Sequence, residues 1–340
     1  MSKKYNVAVV GATGAVGQTM IEILAERNFP IENLYPLASA RSAGQRIKFN
    51  NKSIVVQELD KFDFSQVEIG LFSAGGSISK EFAPKAAAAG CVVIDNTSEF
   101  RYDDDIPLVV PEVNLSAIAE YKQKGIIANP NCSTIQMLVA LKPIYDAFGI
   151  EQINVATYQS VSGSGKEGID ELAGQTAKLL NGLSAEPKVY SQQIAFNVIP
   201  HIDVLLDNGY TKEEMKMVWE TQKIFADDKI RVNPTAVRVP VFYGHSEAVH
   251  VVTKKPYELA DVVDMLSKAP GVKVIHSSED MVYASAVNEG TGKDAVYVSR
   301  IRRGLDHDNS LNLWVVSDNI RKGAALNSIQ IAEKLIESYL

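Results

Sequence analysis

The chain of 340 residues is 46% hydrophobic, 22% charged and 8% aromatic, the balance of a globular protein long enough for about two domains, which excludes disordered, collagenous and coiled-coil readings. Its 34 Lys and Arg against 41 Asp and Glu give a net charge of -7 with no long basic block, so no nucleic-acid partner is expected and an anionic substrate needs a few placed cations. No apolar run approaches the roughly 18 residues a membrane crossing requires, and two cysteines, Cys91 and Cys132, point to a reducing cytoplasm instead of a disulfide framework.

Lys3 and Lys4 precede a weakly apolar stretch at 7–17 that mimics a leader, but its glycines and the helical continuation through Met20, Ile23 and Leu24 predict folded structure. Short β-rich runs then alternate with helical ones: a strand at 6–10, a helix at 15–27, strands at 34–38 and 68–73, a helix at 80–89. That alternation predicts βαβ units and a parallel sheet. Runs at 91–95, 108–110 and 125–128 extend the sheet or lie beside it. From about Glu151 the texture changes to strand-like runs at 153–161, 237–241, 248–253, 295–301 and 311–317. Several alternate apolar and polar residues, as in a sheet with one solvated or interface face, and predict a second, α+β domain. Residues 324–340 place Ile329, Ile331, Ala332, Leu335 and Ile336 on one helical stripe, predicting a closing helix packed back on the first domain.

The segment Gly11-Ala12-Thr13-Gly14-Ala15-Val16-Gly17 follows the first strand and opens the first helix. Glycines there permit a tight turn and close backbone approach, while exposed N–H groups and the helix dipole bind pyrophosphate. The spacing is GxxGxxG, a variant of the usual GxGxxG, and the alternative is a glycine-rich turn without a ligand. NAD enzymes usually end the second strand on a carboxylate; here the chain reads Ser39-Ala40-Arg41-Ser42, a guanidinium flanked by hydroxyls suited to a 2'-phosphate. NADP is favoured over NAD.

Asn129-Pro130-Asn131-Cys132-Ser133-Thr134 lies directly before the apolar, helix-like run 135–141. Cys132 therefore falls at a helix N-terminus, where thiolate is stabilised, whereas Cys91 before Val92-Val93-Ile94 reads as an inert core thiol. Of five histidines, His245 in Tyr243-Gly244-His245-Ser246-Glu247 is the best acid/base candidate, because that polar break between two strand-like runs lets a side chain face a cleft. His250 falls in a strand pattern and reads as structural. No CxxC, HExxH or GxSxG occurs, so neither a metal centre nor a Ser-His-Asp hydrolase is expected.

Taken in order, the glycine loop, the Asn129–Thr134 segment, Gln159 before Ser162-Gly163, Arg238-Val239-Pro240 and Gly244-His245-Ser246-Glu247 resemble aspartate-semialdehyde dehydrogenases along essentially the whole chain. The resemblance implies an α/β fold: a Rossmann-type dinucleotide-binding domain over residues 1–131, an α+β catalytic and dimerisation domain with a mixed sheet over 132–318, and a closing helix over 319–340. It further implies NADPH-dependent reduction of L-4-aspartyl phosphate to L-aspartate 4-semialdehyde with release of phosphate, a step toward lysine, threonine and methionine. Cys132 would be the nucleophile that forms a thioacyl intermediate, His245 the acid/base, and Gln159 the group that orients the acyl carbon. Arg238 would pair with the substrate α-carboxylate, Glu220 with its α-ammonium, and Arg101 and Lys223 with the phosphate, while Asn131 joins the substrate site. The alternative for Glu220 and Lys223 is a solvated i,i+3 helix pair. Gly11, Thr13, Gly14, Ala15, Val16, Gly17, Ser39, Arg41, Ser42, Ser162, Gly163 and Asn319 would hold the cofactor. A homodimer at least, built through the second domain's sheet, is the implied assembly. Acetylglutamyl-phosphate reductase and glyceraldehyde-phosphate dehydrogenase share this plan, but Arg238 with Glu220 suits a free amino acid, which theirs is not. A non-catalytic nucleotide-binding paralogue is the alternative of another class.

Overall fold

The apolar run Tyr5–Val10 (β1) is buried almost throughout, as a central parallel strand demands. In the computed structural model, which describes residues 3–276 and 282–340, this strand lies in one of two units: Met1–Pro130 with Ala324–Leu340, and Asn131–Gly323. After β1 the first unit continues through α1 (Ala15–Glu26), β2 (Ile31–Ala38), the hairpin β3 (Arg46–Phe49) and β4 (Lys52–Val55), and β5 (Gln57–Glu58). It goes on through β6 (Ile69–Phe72), α2 (Gly76–Ala88), β7 (Val92–Asp95), α3 (Pro111–Asn114) and β8 (Ile126–Ala128). Six of these strands form a sheet in the order β5-β2-β1-β6-β7-β8, parallel throughout. The order reverses between β1 and β6, the topological switch point where such sheets bind ligands. The helix Leu326–Ser338 belongs to this unit: Leu326, Ile329, Ile331 and Leu335 join the core built by Val7, Val9, Ile23 and Leu71.

The second unit runs α4 (Cys132–Phe148), β9 (Ile150–Gln159), α5 (Gly165–Leu180), α6 (Lys212–Phe225), β10 (Arg231–Arg238) and β11 (His245–Thr253). It ends with α7 (Leu259–Lys268), β12 (Val272–Ile275), β13 (Val296–Arg303) and β14 (Ser310–Ser317). Its strands form a mixed sheet in the order β10-β9-β11-β14-β13-β12. α4, buried continuously from Ser133 to Leu141, packs against β11, β13 and β14. The opposite face carries Tyr158 and Trp314, whose rings lie 5.5 Å apart. The expected α/β plan therefore holds, with a parallel sheet first and a mixed sheet second.

Three expected elements differ. The run at 108–110 makes only a single bridge from Leu108 to Ala128, because Pro107 precedes it and Pro111 opens α3. The strand expected at 237–241 is β10, Arg231–Arg238; Pro234 is tolerated because β10 is an edge strand, and Pro240 lies beyond its end. His245 does not lie in a break between strands: Gly244, at φ +84°, makes the turn, and His245 is the first residue of β11, paired with Ser317. The units divide at 130/131 and 323/324 instead of 131/132 and 318/319. Asn131 joins the second unit through its bonds to α6, and residues 319–323 join it through Asn319 and Gly323.

Candidate active site

In the first unit the glycine loop sits at the switch point. Gly11 has φ +87°, and a Cβ there would lie 2.9 Å from the Ser73 carbonyl group, so β1 and β6 can approach this closely only with glycine. A Cβ on Gly17 would clash with the Gly11 oxygen, which sets how tightly α1 seats on the loop. Gly14 caps α1 without a side chain, leaving the helix entrance clear for an anion. Thr13, Ala15 and Val16 complete the turn into α1. This geometry fits a dinucleotide pyrophosphate. A second entrance follows β6, where Gly75 (φ +96°) caps α2; its sequence signal is the Gly75-Gly76 pair. After β2, Ser39 turns the chain by accepting the Ser42 N–H at 2.9 Å, and Arg41 is exposed with no ion pair among the described residues. Arg101 is buried after β7 and donates to the Asn96 carbonyl at 2.9 Å. Near it in this unit, Asp95 is pushed above the ordinary carboxylate range by burial, against hydrogen bonds from Ser79 and Thr97.

In the second unit Cys132 is the first residue of α4, and Asn131 is its N-cap: the Asn131 Oδ1 accepts the N–H of Ser133 at 3.0 Å and of Thr134 at 3.4 Å. The other end of that amide donates to Glu213 Oε1 at 2.9 Å, and the Asn131 N–H donates to Glu220 Oε2 at 2.6 Å. Glu213 Oε1 also accepts from Gln159 Nε2 at 3.0 Å, while Thr157 Oγ1 donates to Gln159 Oε1 at 3.0 Å. The Cys132 helix cap and the Gln159 amide are thus tied to one carboxylate. Burial pushes the Glu213 carboxyl up, but the Lys216 ammonium and the bonds from Gln159, Asn131 and Lys216 outweigh it and hold the group at about 2. Sequence reasoning missed Glu213; the only local signal was the capping box of Thr211 and Glu214 that starts α6.

Arg238, paired with Gln159 across β10 and β9, donates from Nη1 to the Ser160 carbonyl at 2.7 Å. A Cβ on Gly163 would lie 3.0 Å from that Nη1 and 3.7 Å from His245 Nε2, so the absent side chain leaves room between guanidinium and imidazole. His245 is completely buried, and its Nδ1 accepts the Ser160 N–H at 3.1 Å. The neutral ring therefore carries its proton on Nε2, which has no hydrogen-bond partner among the described residues. Burial, then Arg238, lower the His245 pKa to about 3 against the pull of Glu213. Ser162 and Asn319 join this cluster through the Asn319 Nδ2 to Ser162 Oγ bond of 3.0 Å. Lys223 follows Glu220 by one turn on α6. Gly323 was also missed: a Cβ there would lie 2.7 Å from the Cys132 Cβ. A buried orphan donor, a cysteine on a helix N-terminus and a clamped amide are the kinds of group that acyl transfer through sulfur uses.

Residues 6–121 match the NAD-binding domain of semialdehyde dehydrogenases and residues 141–322 their dimerisation domain. The chain is 67% identical over 339 residues to an aspartate-semialdehyde dehydrogenase of Shewanella sp. (strain DB6705), covering 100% of both. It is similar to the crystal structure of aspartate semialdehyde dehydrogenase II complexed with ASA from Vibrio cholerae, at 63% identity, a TM-score of 0.98 and 100% of both chains. A more distant likeness is to aspartate semialdehyde dehydrogenase with NADP from Candida albicans, 25% identical with a TM-score of 0.76 over 98% of both chains. The parallel sheet with its glycine loop, the cysteine-centred site and these likenesses agree: the chain belongs to the aspartate-semialdehyde dehydrogenase family.

Proposed function

We propose that this chain reduces L-4-aspartyl phosphate to L-aspartate 4-semialdehyde, with NADP as its dinucleotide, as a cytoplasmic homodimer. The observation that carries the reading is the Cys132 helix cap tied through Glu213 to Gln159, beside a buried His245 whose Nε2 has no partner among the described residues. The Cys132 sulfur attacks the acyl carbon, an S–C bond forms, and the C–O bond to phosphate breaks, leaving a thioacyl group. Gln159 orients that carbonyl. When bound, the reduced dinucleotide supplies the hydride. Collapse of the resulting thiohemiacetal returns the sulfur and frees the aldehyde, with His245 handling the proton.

Arg238 is assigned to the substrate α-carboxylate, which needs a planar two-pronged cation, and Glu220 to the α-ammonium. Lys223 and Arg101 are assigned to phosphate. Asn131 acts by holding the cap. The glycine loop, with Ser162, Gly163 and Asn319, is assigned to the dinucleotide. NADP over NAD rests on Arg41 with Ser39 and Ser42, and on the absence of a carboxylate where β2 ends, at Ala38. The homodimer rests on the dimerisation-domain match and on the Tyr158 and Trp314 face of the mixed sheet.

The test is phosphate-dependent reduction of NADP by the purified protein with L-aspartate 4-semialdehyde, beside Cys132→Ala, glyceraldehyde 3-phosphate and N-acetylglutamate semialdehyde. Activity with the first aldehyde alone, absent from the variant, is expected. Silence with all three aldehydes would return the non-catalytic reading. His245→Asn is expected to keep the fold and lose about two to four orders of magnitude in turnover.

A further inference from the structure

Nδ1 of His245 meets two groups of one residue: the Ser160 N–H at 3.1 Å and the Ser160 hydroxyl oxygen, also at 3.1 Å. That same oxygen lies 3.1 Å from Asn319 Oδ1 and 3.1 Å from Ser162 Oγ. Asn319 is itself fixed, since its Oδ1 accepts the Gly244 N–H at 2.9 Å and its Nδ2 donates to Ser162 Oγ at 3.0 Å. Ser160, Ser162, His245 and Asn319 are all buried.

A backbone N–H can only donate. Alone it would fix Nδ1 as an acceptor and the ring proton on Nε2, and a ring so fixed can donate from Nε2 but cannot accept there. A hydroxyl has no such limit. It can donate to Nδ1, or it can accept from a protonated Nδ1 while turning its own hydrogen to Asn319 Oδ1.

We propose that Ser160 is a positioning residue whose hydroxyl, set between His245 Nδ1 and Asn319 Oδ1, exchanges donor and acceptor roles so that His245 Nε2 can both take and return a proton. The inference rests on His245 being the acid and base of the reaction proposed above. With Nδ1 protonated and bonded to Ser160 Oγ, a state in which the Ser160 N–H gives up its bond to Nδ1, Nε2 is bare and accepts the Cys132 thiol proton, giving thiolate and imidazolium. The same proton later passes from Nε2 to the oxygen of the thiohemiacetal, and the ring is neutral again. As the thiohemiacetal collapses, Nε2 takes that proton back and returns it to the departing sulfur, while the released phosphate takes one proton from solvent. Burial and then Arg238 oppose protonation of the ring, and Glu213 favours it. Glu247, two residues along β11, is pushed well above the ordinary carboxylate range by burial, which the Gln136 amide opposes. Asp318, beside Asn319, is engaged by the N–H groups of Gly292, Ile320 and Arg321. Ser160 side-chain and backbone atoms bond Nδ1, and a hydrogen bond to the Gly244 backbone also favours the protonated ring.

The test uses the full chain as wild type, Ser160→Ala and Ser160→Thr, with three readouts: the pH profile of Cys132 alkylation by iodoacetamide, kcat and KM, and the unfolding midpoint. In wild type, alkylation should proceed well below the ordinary thiol range of about 8.5. Ser160→Ala should move that profile toward the ordinary range and lower kcat about 10- to 100-fold, part of what general acid–base transfer supplies, with KM little changed. Ser160→Thr, which keeps the hydroxyl, should restore both. A wild-type profile and kcat in Ser160→Ala would overturn the proposal. Equal impairment of Ala and Thr with a lowered unfolding midpoint would also overturn it, as a packing effect. Because alkylation needs no substrate, a wild type that ignores the semialdehyde but shows the Ser160-dependent profile would sink the assigned reaction and support the hydroxyl's role.

Discussion

Gly323 offers a direct test of how closely Cys132, the nucleophile of the proposed reaction, is held. Replacing it by Ala puts a methyl carbon 2.7 Å from the Cys132 Cβ and 3.3 Å from its Cα. Ordinary carbon contacts are about 3.5–4.0 Å, so the two must separate by roughly 0.8–1.3 Å. Gly323 lies in a helical turn, Arg321–Ala325, and its φ is not in the left-handed region, so alanine meets no backbone penalty there. The contact with Cys132 is what remains. A displacement of about 1 Å at a reacting atom lowers turnover about 100-fold, and overpacking of this kind costs about 1–3 kcal/mol of stability. Gly323→Ala should therefore lose about two orders of magnitude in kcat in the semialdehyde assay, with dinucleotide binding, followed by nicotinamide fluorescence, unchanged. Turnover within a few-fold of wild type would refute the argument, because it would mean the sulfur can yield that distance without leaving its reacting position.

The two cysteines should separate under a thiol reagent such as DTNB. Burial and then Glu68 push the Cys91 thiol up to about 12, so only Cys132, half-buried, should react before unfolding, and Cys132→Ala should abolish the fast phase. Arg41→Ala should weaken NADPH about 10- to 100-fold and leave NADH unaffected, the value of a charge-assisted pair; an unchanged preference ratio would show that the 2'-phosphate is held elsewhere. Glu213 in the folded chain sits at about 2 against an ordinary 4.5, so its carboxylate stabilises fully above 4.5 and that contribution drains as pH falls toward 2. Urea midpoints of wild type and Glu213→Gln should accordingly differ most near neutrality and converge on acidification. A gap independent of pH would count against the Lys216 and hydrogen-bond account.

Periodicity and glycine spacing exposed the parallel sheet because β1 is buried on both faces and its loop is dictated by backbone clashes at Gly11 and Gly17. Cys132 was legible for the same reason: its cap, Asn131, is a local signal. The hairpin β3–β4 had a signal that went unused, an Asn50-Asn51 pair with φ of 46° and 62°, the turn that two-residue hairpins favour. Glu213 and Ser160 were not legible. Their importance comes from partners 82, 54 and 85 residues away in sequence, and nothing in their neighbourhoods announces those contacts. His245 was found but misplaced, since a polar pentapeptide around Gly244 looks like a loop until β9 and β14 pair with the strand it begins.

The first unit is discontinuous in sequence, and that has a consequence for biosynthesis. Its core lacks Leu326, Ile329, Ile331 and Leu335 until the residues after Gly323 exist. Between Pro130 and Ala324 the ribosome must add the whole second unit, Asn131–Gly323, which at about 5–20 residues per second takes about 10–40 s. During that interval the nascent dinucleotide domain exposes the apolar trough the helix will fill, while the second unit is contiguous and can fold as it emerges. The later-made part of the chain should thus reach its native packing first, and the opening sheet should be the segment that chaperones guard.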